Sequence, residues 1–462
     1  MHRFYQFLTA VLLACFIAGC PSRDPLPTKA DPQVCAESWK DVPVGVNRAL
    51  DLLFVIDNSG SMGEEQASLI ANFHRFVAVL ENVEGGLPDL HIGIVSTDMG
   101  VGRFDAIQNC TDSGDQGLLQ AIPRDKCEGP DGNFIIDVLD PDGSRRKNYS
   151  GELSDAFGCI ARLGVNGCGF EQPLASMRKA LDGSVLGNVG FLRDNAALMV
   201  VFITDEDDCS VPGDALFDTA SSTVDDPLGP MSSFRCFEFG VECSPDTPRR
   251  PGVYNDCRAR EDSELVDGIE QYVSFLKGLK RDPSMVTVAG IIGDASPVVV
   301  ENNNLGEPGL TPSCVSNSGI ATPAVRLQQF IDKFPNRGTA TTICNDDLSD
   351  ALLLIARNLA VTLSVPCLEG DIDTDPDTPG LQYECSVSDV RFVGQDNQDE
   401  IALPECPNEA PAENQLPCWR LQSSPDLCTD TPSQSTIVVE RGEYPAPSSF
   451  VRIRCLEASC SE

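Results

Sequence analysis

Short apolar runs alternate with helix-patterned segments along the middle of the chain. The runs are typical of strands buried on both faces of a parallel sheet, and they are residues 50–57, 90–97, 196–205 and 286–293. Apolar side chains recur at helical spacing in residues 64–82, 172–182, 263–280, 322–334 and 347–361. Thr322 and Pro323 are expected to cap and open the fourth of these helices. The alternation predicts an α/β fold, with a doubly wound, mostly parallel sheet and helices on both faces.

Two stretches interrupt this alternation, at about 100–150 and 209–261. Both are rich in Gly, Pro, Asp and Cys, which predicts disulfide-stapled insertions. The tail is also rich in Pro, Asp and Cys, and its short strand candidates are residues 386–393, 434–441 and 449–455. We therefore predict a main domain over 47–362 and a small Cys-rich β module over 367–462. Trp419 in this module either packs against a disulfide or is exposed to a partner.

Polar residues follow directly after the predicted strands. The first strand leads into Asp57, Ser59 and Ser61, the second into Thr97, and the most apolar strand into Asp205. Ligands bind at the carboxyl edge of such a sheet, where the ends of parallel strands meet. Oxygen ligands without His or Cys favour Mg²⁺, Ca²⁺ or Mn²⁺ over zinc. The pattern predicts a divalent-cation site, with simple capping of the following helix as the alternative for the Asp-x-Ser-x-Ser segment.

Two of these segments resemble a known family. FVIDNSGSM (54–62) and VFITDEDD (201–208) are similar to the von Willebrand factor type A (VWA) domain, whose DxSxS signature marks the metal-ion-dependent adhesion site (MIDAS). The resemblance covers roughly residues 47–362. It implies a Rossmann-like fold that holds a cation, Mg²⁺ first and Ca²⁺ or Mn²⁺ as alternatives. Ser59 and Ser61 would ligate it directly, and Asp57 and Asp205 largely through water. It also implies a protein ligand whose acidic residue completes the coordination.

The third loop of the family usually supplies a threonine just before a helix, and here the chain departs from that pattern. The matching segment GCGFEQP (167–173) places Glu171 at about that position. As a ligand, Glu171 would add negative charge and hold the ion more tightly. The alternative is that it only caps its helix. Thr97 is a second candidate for the missing hydroxyl, because its strand ends at the same edge of the sheet.

The charge balance limits the classes of partner. There are 33 Lys and Arg against 70 Asp and Glu, a net charge of −37, so we expect no nucleic-acid binding, which depends on clustered basic residues. A hydrophobic content of 41% is too high for a wholly disordered acidic chain. The acidic run of Glu206, Asp207 and Asp208 either holds a second ion or is solvated.

We do not expect an enzyme. A metal-assisted hydrolase needs a general base beside the ion, and Asp98, Glu171 or Glu206 could serve in principle, but no recognisable catalytic arrangement accompanies them. The chain has three His, of which His74 and His91 are expected to be packing or surface residues.

The first twenty residues are similar to a bacterial lipoprotein signal. An apolar run follows Arg3, and the sequence IAGC (17–20) resembles the lipobox. This implies removal of residues 1–19, acylation of Cys20 and anchoring of the protein to a bilayer. Residues 20–46 would be the lipidated Cys and a tether. Pro21 favours the outer membrane by analogy, with either face possible. The alternative is an ordinary secretory peptide with a chance Cys.

Cysteine usage agrees with export. Of the 20 Cys, Cys15 leaves with the signal and Cys20 takes lipid, which leaves 20 − 2 = 18 for disulfides. Their grouping predicts local bridges, within Cys110/Cys127/Cys159/Cys168, within Cys209/Cys236/Cys243/Cys257, and between Cys314 and Cys344. The C-terminal region holds an odd number, Cys367, Cys385, Cys406, Cys418, Cys428, Cys455 and Cys460. We expect Cys35 to supply the missing partner and to tie the tether to the C-terminal module.

Together these features predict a lipid-anchored envelope protein that binds a divalent cation and, through it, an unidentified protein ligand. The main alternative is a structural envelope scaffold of the same fold, whose ion only stabilises a loop.

Overall fold

The computed structural model describes residues 37–43, 49–83, 86–124, 126–140, 143–194, 196–280, 283–316, 319–335, 337–363 and most of 367–456. The gaps in the last range are 369, 376, 379, 392–397, 408–410, 426–427, 429–430 and 442–449. The predicted signal, Cys20, Cys35 and Cys460 therefore lie outside the described residues. In the part of the chain that is described, no helix combines the length and the apolar character needed to cross a bilayer.

Helices and strands are numbered in chain order within the described residues. The helices are α1 (Gly63–Glu81), α2 (Leu153–Ala161), α3 (Pro173–Leu181), α4 (Phe234–Gly240), α5 (Glu270–Gly278), α6 (Val325–Asp332) and α7 (Ser349–Leu363). The strands of the first half are β1 (Glu37–Pro43), β2 (Ala49–Ile56), β3 (Asp89–Ser96), β4 (Ile135–Leu139), β5 (Arg145–Lys147), β6 (Ala197–Ile203), β7 (Val241–Ser244) and β8 (Gly252–Ala259). Those of the second half are β9 (Val286–Ile292), β10 (Val298–Asn302), β11 (Pro308–Leu310), β12 (Cys314–Val315), β13 (Ile320–Ala321), β14 (Gly338–Thr342), β15 (Cys385–Arg391), β16 (Asp399–Leu403), β17 (Cys418–Ser423), β18 (Ser435–Glu440) and β19 (Phe450–Leu456).

A mixed seven-stranded sheet forms the centre of the main domain, in the order β14-β9-β6-β2-β3-β4-β5. The strands from β14 to β3 are parallel to one another. β4 and β5 add an antiparallel edge. The predicted strands are thus neighbours, and β2 lies between β3 and β6. Their carboxyl ends share one edge of the sheet.

The central strands are buried on both faces, which explains their continuous apolar runs. In β2, Leu52 and Phe54 face one hydrophobic cluster, to which α1, α2 and α7 also contribute. Leu53 and Val55 face a second cluster, to which α3, α5 and α6 contribute. Helices therefore cover both faces, and the molecule is mixed α/β as predicted.

Helix α1 follows from the spacing of its large apolar residues. Leu69, Phe73, Phe76 and Leu80 are fully buried, because they recur on one face of the helix. The rings of Phe73 and Phe76 pack edge-on against Phe54 of β2, with centroid distances of 5.8 and 6.2 Å. This packing fixes the loop that joins the end of β2 to the start of α1.

The first interruption, 100–150, is not an insertion throughout. Residues 135–147 form β4 and β5 and extend the main sheet. Polar pairing stabilises this edge, because buried Asp137 accepts hydrogen bonds from Arg145 Nε at 2.6 Å and Tyr149 Oη at 2.5 Å. Such short strands with charged residues carry little apolar signal, which is why the sequence pattern missed them.

The second interruption, 209–261, belongs to a small sheet of its own. Strands β7 and β8 from this segment pair with the later β10 and β11, in the order β11-β10-β8-β7. The sequence analysis did not predict β10 or β11. The local disulfides are confirmed as Cys110–Cys168, Cys127–Cys159, Cys209–Cys236, Cys243–Cys257 and Cys314–Cys344.

Two predicted helix starts are wrong. Helix α6 begins at Val325 rather than at Thr322, because the Thr322 amide donates to the carbonyl oxygen of Asp205 at 2.9 Å. Helix α5 begins at Glu270 rather than at residue 263. The hydroxyl of Ser263 instead accepts the amides of the second and third residues after it, both at 3.2 Å. A long-range contact thus replaces the first predicted turn of α6, and a local side-chain contact replaces that of α5.

The C-terminal module contains the predicted strands as β15, β18 and β19. The module consists of a four-stranded sheet, β1-β19-β15-β16, and a two-stranded sheet, β17-β18. Strand β1 comes from the segment predicted as tether, so that prediction is wrong for residues 37–43, which pair with β19 over seven residue pairs. Trp419 is buried and donates from Nε1 to the carbonyl oxygen of Leu403 at 3.1 Å, so it is a core residue.

Three disulfides staple this module, Cys367–Cys428, Cys385–Cys455 and Cys406–Cys418. The described residues therefore hold eight disulfides in all. Such density is typical of proteins that fold in an oxidising compartment. The disulfides therefore indicate a protein of an oxidising compartment, such as the periplasm or the cell surface.

Candidate metal centre

Three loops meet at the carboxyl edge of the central strands. They follow β2, β3 and β6, and a fourth segment, just before α3, lies against them. The Asp57 amide donates to the carbonyl oxygen of Ile203 at 2.9 Å, which joins the first loop to the end of β6. The Gln172 amide donates to the carbonyl oxygen of Thr97 at 3.0 Å. The sheet thus brings together residues that are far apart in the sequence.

Asp57 is the fully buried anchor of the first loop. One carboxylate oxygen accepts the amide of Ser59 at 2.7 Å, and the other accepts the hydroxyl of Thr204 at 2.7 Å. The hydroxyl oxygens of Ser59 and Ser61 are 3.2 Å apart, and the Ser61 hydroxyl also interacts with the carboxyl group of Asp205. Asp57, Ser59, Ser61 and Asp205 therefore lie at one place, as predicted.

These residues do not cap helix α1. The residue at the helix N-cap is Met62, and no side chain makes a capping hydrogen bond there. The capping alternative for the Asp-x-Ser-x-Ser segment is therefore not what the structure contains.

Glu171 and Thr97 both face the same place. The Thr97 hydroxyl donates a short hydrogen bond to Glu171 Oε2, and the Glu171 carboxyl group also interacts with that of Asp57. Glu171 is buried, and it does not cap α3, whose N-cap residue is Gln172; the first-turn amides of Leu174 and Ala175 donate to Asp208 and Ser210 instead. Of the two interpretations of Glu171, helix capping is not observed.

A close approach of two loops positions this segment. The Gly167 amide donates to the carbonyl oxygen of Asn58 at 2.7 Å. A Cβ at position 167 would lie 2.2 Å from Asn58 Oδ1. Only glycine leaves enough room for the loop before α3 to lie this close to the loop after β2.

Four buried oxygens at this edge have no hydrogen-bond partner. They are Asn58 Oδ1, Glu65 Oε2, Glu171 Oε1 and Asp205 Oδ1. Only one other buried side-chain N or O atom in the described residues, Arg420 Nε, lacks a partner. An unpaired buried acceptor costs roughly 1–3 kcal/mol, so their concentration at one place favours a bound cation. The sequence analysis did not select Asn58 or Glu65, because Asn58 occupies a variable position of the signature and Glu65 fits an ordinary first helical turn.

The carboxyl groups here destabilise one another as anions. Burial, and then the charges of Asp57 and Glu206, raise the pKa of Glu171 well above its usual range. Burial, and then the charge of Asp57, raise the pKa of Asp205 to about 7. Burial and the neighbouring Asp205 raise the pKa of Glu206 to about 8. No positively charged side chain is among the main influences on these groups, so a divalent cation would supply the missing charge.

Two of the neighbouring acids have structural partners. Asp207 caps helix α6 by accepting the amides of Arg326 and Leu327 at 2.9 and 3.0 Å. Asp208 is buried, pairs with the Arg326 guanidinium at 2.8 Å, and accepts the amide of Leu174 at 3.1 Å. These carboxylates are therefore neither solvated nor free for a second ion.

The donor set is a mixture of hydroxyl and carboxylate oxygens. Within the described residues, no group of three or more His, Cys, Asp or Glu side chains has the arrangement of a metal site by itself. The histidines lie elsewhere. His74 is exposed, and His91 packs at the opposite end of the sheet, where its Nδ1 hydrogen-bonds to the carbonyl oxygen of Phe191 at 2.9 Å.

No protein-family model and no curated protein matches the chain. Solved structures with some similarity include the pilus adhesin SpaC from Lactobacillus rhamnosus GG, with a TM-score of 0.32 and 11% identity over 91% of this chain and 41% of that chain. The mussel byssus protein PTMP1 has a TM-score of 0.29 and 11% identity, over 70% of this chain and 50% of that one. The pilus adhesin RrgA from Streptococcus pneumoniae has a TM-score of 0.27 and 10% identity, over 92% and 58%. The chain spans about half the length of these structures. Similarity at this level carries no functional argument.

Proposed function

We propose that the chain is an envelope protein with a VWA-type domain, which binds a divalent cation and, through it, a protein ligand. The observation that carries this proposal is the cluster of unpaired buried oxygens at the carboxyl edge of β2, β3 and β6. The cation would be Mg²⁺ first, because hydroxyl and carboxylate oxygens are its preferred ligands. The residues that would hold it are Asp57, Ser59, Ser61, Asp205, Thr97 and Glu171.

The sheet supports the same proposal. Its parallel core has β2 in the middle, and helices lie on both faces, which agrees with a doubly wound, Rossmann-like domain of the VWA type. In such a sheet the edge beside the central strand is the expected ligand-binding place.

Accessibility supports a role in binding a partner. Asp57 is fully buried, Ser59 is nearly so, and Ser61 is exposed. A cation held between them would lie at the surface on the side of Ser61. An acidic side chain of a protein ligand could reach it there and complete its coordination, which is the adhesion mechanism that the resemblance implies.

A second candidate function is a structural scaffold with a stabilising ion. The buried carboxyl group of Glu171 favours it, because a direct carboxylate ligand adds negative charge and holds the ion more tightly. Ca²⁺ or Mn²⁺ would then bind well, and a partner's carboxylate would add little. The domain would still be an envelope protein, anchored through Cys20 to the outer membrane if the lipobox is used.

Isothermal titration of chelator-treated protein tests cation binding. We expect one site for Mg²⁺ or Mn²⁺, with binding lost in Ser59→Ala and retained in Ser150→Ala, a control at an exposed serine away from the edge. Absence of binding to the unaltered protein, or normal binding by Ser59→Ala, would contradict the proposal.

A capture assay from native envelopes separates the two functions. If the ion recruits a ligand, chelator abolishes capture and the melting temperature changes little. If the ion is structural, chelator lowers the melting temperature by several degrees, and capture is lost only as the domain unfolds.

A further inference from the structure

A pocket opens beside the candidate metal centre, in the described part of the main domain. Its volume is about 250 Å³. It lies between the loop after β6, the start of α4, the β10–β11 hairpin and the segment before α6. Its lining residues include Glu206, Asp207, Ser233, Phe234, Glu307 and Leu310.

The wall of this pocket is acidic, and Glu206, whose pKa is raised to about 8, is largely protonated at neutral pH. Three carboxyl groups line it, and no lining residue is a lysine or an arginine. The nearest basic residue along the chain, Arg235, turns its guanidinium to backbone carbonyl oxygens, including those of Leu216 at 2.6 Å and Gly229 at 2.9 Å. It therefore does not neutralise the pocket.

The carboxyl groups differ in how far they are already used. Both oxygens of Asp207 accept amides at the start of α6. The carboxyl group of Glu206 interacts with the Ser233 hydroxyl. Glu307 has a bond from Asn303 Nδ2 to its Oε2 at 2.9 Å. Since an ionised carboxylate can accept about four hydrogen bonds, Glu307 retains acceptor capacity for a bound cationic group.

The lining also contains the apolar side chains of Phe234, Phe237 and Leu310, next to polar residues such as Ser232, Asn303 and Thr322. Apolar side chains beside carboxyl groups suit a long aliphatic stem that ends in a positive charge. The volume is below the ~300–1,000 Å³ of pockets for small organic ligands, and it suits a single side chain.

We propose that this pocket receives a lysine or arginine side chain of the protein ligand. The proposal rests on the proposed function for the kind of ligand, and on the pocket itself for its chemistry. Glu206 directly follows Asp205, so the pocket borders the candidate cation. A ligand that presents an acidic and a basic residue close together would engage the ion with one and the pocket with the other. This pairing would give the interface its specificity.

The test uses peptide-like probes and NMR titration of the full chain. The probes are Nα-acetyl-L-arginine N-methylamide, its lysine counterpart, and the citrulline counterpart as an uncharged control of the same shape. We expect the charged probes to bind with a Kd on the order of 1 mM and the citrulline probe at least tenfold more weakly. Equal binding of citrulline and arginine overturns the proposal.

Variants locate the binding. Glu307→Gln is the main one, because it removes a charge from the pocket and leaves the candidate metal residues unaltered. We expect it to weaken the arginine probe at least fivefold. Glu301→Gln is the matched control, since Glu301 is exposed on β10 and does not line the pocket. Equal binding by Glu307→Gln and the control overturns the proposal.

Cation binding is measured on the same samples. If Mg²⁺ binds and the charged probes do not, the pocket proposal fails and the proposed function stands. If the probes bind but no divalent cation does, the pocket proposal stands and the proposed function fails. If Mn²⁺ fills a second site that excludes the arginine probe and is lost in Glu307→Gln, the pocket is an ion site and the proposal fails.

Discussion

Glu171 is the residue that most distinguishes this centre from the family pattern. Its carboxyl group is buried beside that of Asp57, and one of its oxygens has no partner. The same side chain is therefore unfavourable without a cation and favourable with one. Replacing it separates these two effects.

We expect Glu171→Gln to stabilise the cation-free protein and to weaken cation binding. Without the cation, Glu171 must either be charged beside Asp57 or take up a proton, and both are unfavourable, so the replacement should raise the free energy of unfolding in chelator by roughly 1–3 kcal/mol. Loss of a negative ligand should lower Mg²⁺ or Mn²⁺ affinity about tenfold or more. Thermal unfolding and calorimetry measure both. Glu64→Gln, at an exposed position of α1, is the control. A destabilised variant with unchanged affinity would show that Glu171 is only a packing residue.

His91 makes stability depend on pH at the other end of the sheet. Burial, and then the charge of Arg193, lower its pKa to about 4 in the folded protein, against an ordinary value near 6.5. Between these values the unfolded chain binds more protons than the folded one, so stability falls as pH drops from 6.5 to 4. After allowance for solvent screening, we expect a loss of about 1–2 kcal/mol. His91→Asn should lack this part of the pH dependence in chemical denaturation. Parallel curves for both proteins would argue against it.

The sequence pattern placed Asp57, Ser59, Ser61 and Asp205 at one edge of the sheet, because each follows an apolar run that is typical of a buried strand. It could not select Asn58 or Glu65. Each of these residues has a buried oxygen without a hydrogen-bond partner in the folded protein. The spacing of residues along the sequence does not reveal this.

At the scale of elements, disulfides hold the loops that carry the site. Cys168 follows Gly167 and lies three residues before Glu171, and its bridge to Cys110 links the segment before α3 to the first interruption. Cys209 likewise follows the loop after β6 and is bridged to Cys236. The residue before Cys236, Arg235, donates to the carbonyl oxygen of Leu216 and so holds the segment between the two cysteines. Disulfides therefore tie the segment before α3 and the loop after β6 to the two interrupting segments.

Removal of the Cys110–Cys168 bridge should weaken the centre as well as the fold. We expect the double variant Cys110→Ser/Cys168→Ser to lose about 2–4 kcal/mol of stability and severalfold in cation affinity, because Glu171 is then held less firmly. The Cys243–Cys257 bridge, in the small sheet, is the control. Its double variant should lose stability without a change in affinity. Equal effects on affinity would mean that the bridge does not position the site.

Elements with continuous apolar runs or helical spacing were predictable, whereas short edge strands were not. β2, β3, β6 and β9 are buried on both faces, so their composition alone indicates them. β4, β5, β10 and β11 are short and partly exposed, and their pairing depends on neighbours that come later in the chain. The start of α6 is set by Asp205 and Asp207, more than a hundred residues earlier in the sequence.

At the scale of the whole molecule, one disulfide is left to assign. Eight bridges use 16 cysteines. If Cys15 is removed with the predicted signal and Cys20 is acylated, 20 − 2 − 16 = 2 remain, Cys35 and Cys460. Strand β1 pairs with β19 from Glu37↔Leu456 onward, so the segments that carry them leave the same end of one strand pair. We expect non-reducing peptide mapping to recover a Cys35–Cys460 peptide. Free thiols at both positions would contradict the assignment.

The β1–β19 pairing also has a mechanical consequence. An acylated Cys20 would be separated from Glu37 by 37 − 20 = 17 residues, which span about 60 Å when fully extended. The C-terminal module would therefore stay within about that distance of the membrane. If a captured partner pulls away from the membrane, tension enters β1 at one end and leaves toward β2 at the other. The load then runs along the extended backbone of β1, parallel to its seven residue pairs with β19, and so does not pull those pairs open one at a time. Single-molecule pulling from the N-terminus should therefore find this attachment stronger than a hairpin of the same length pulled open from one end.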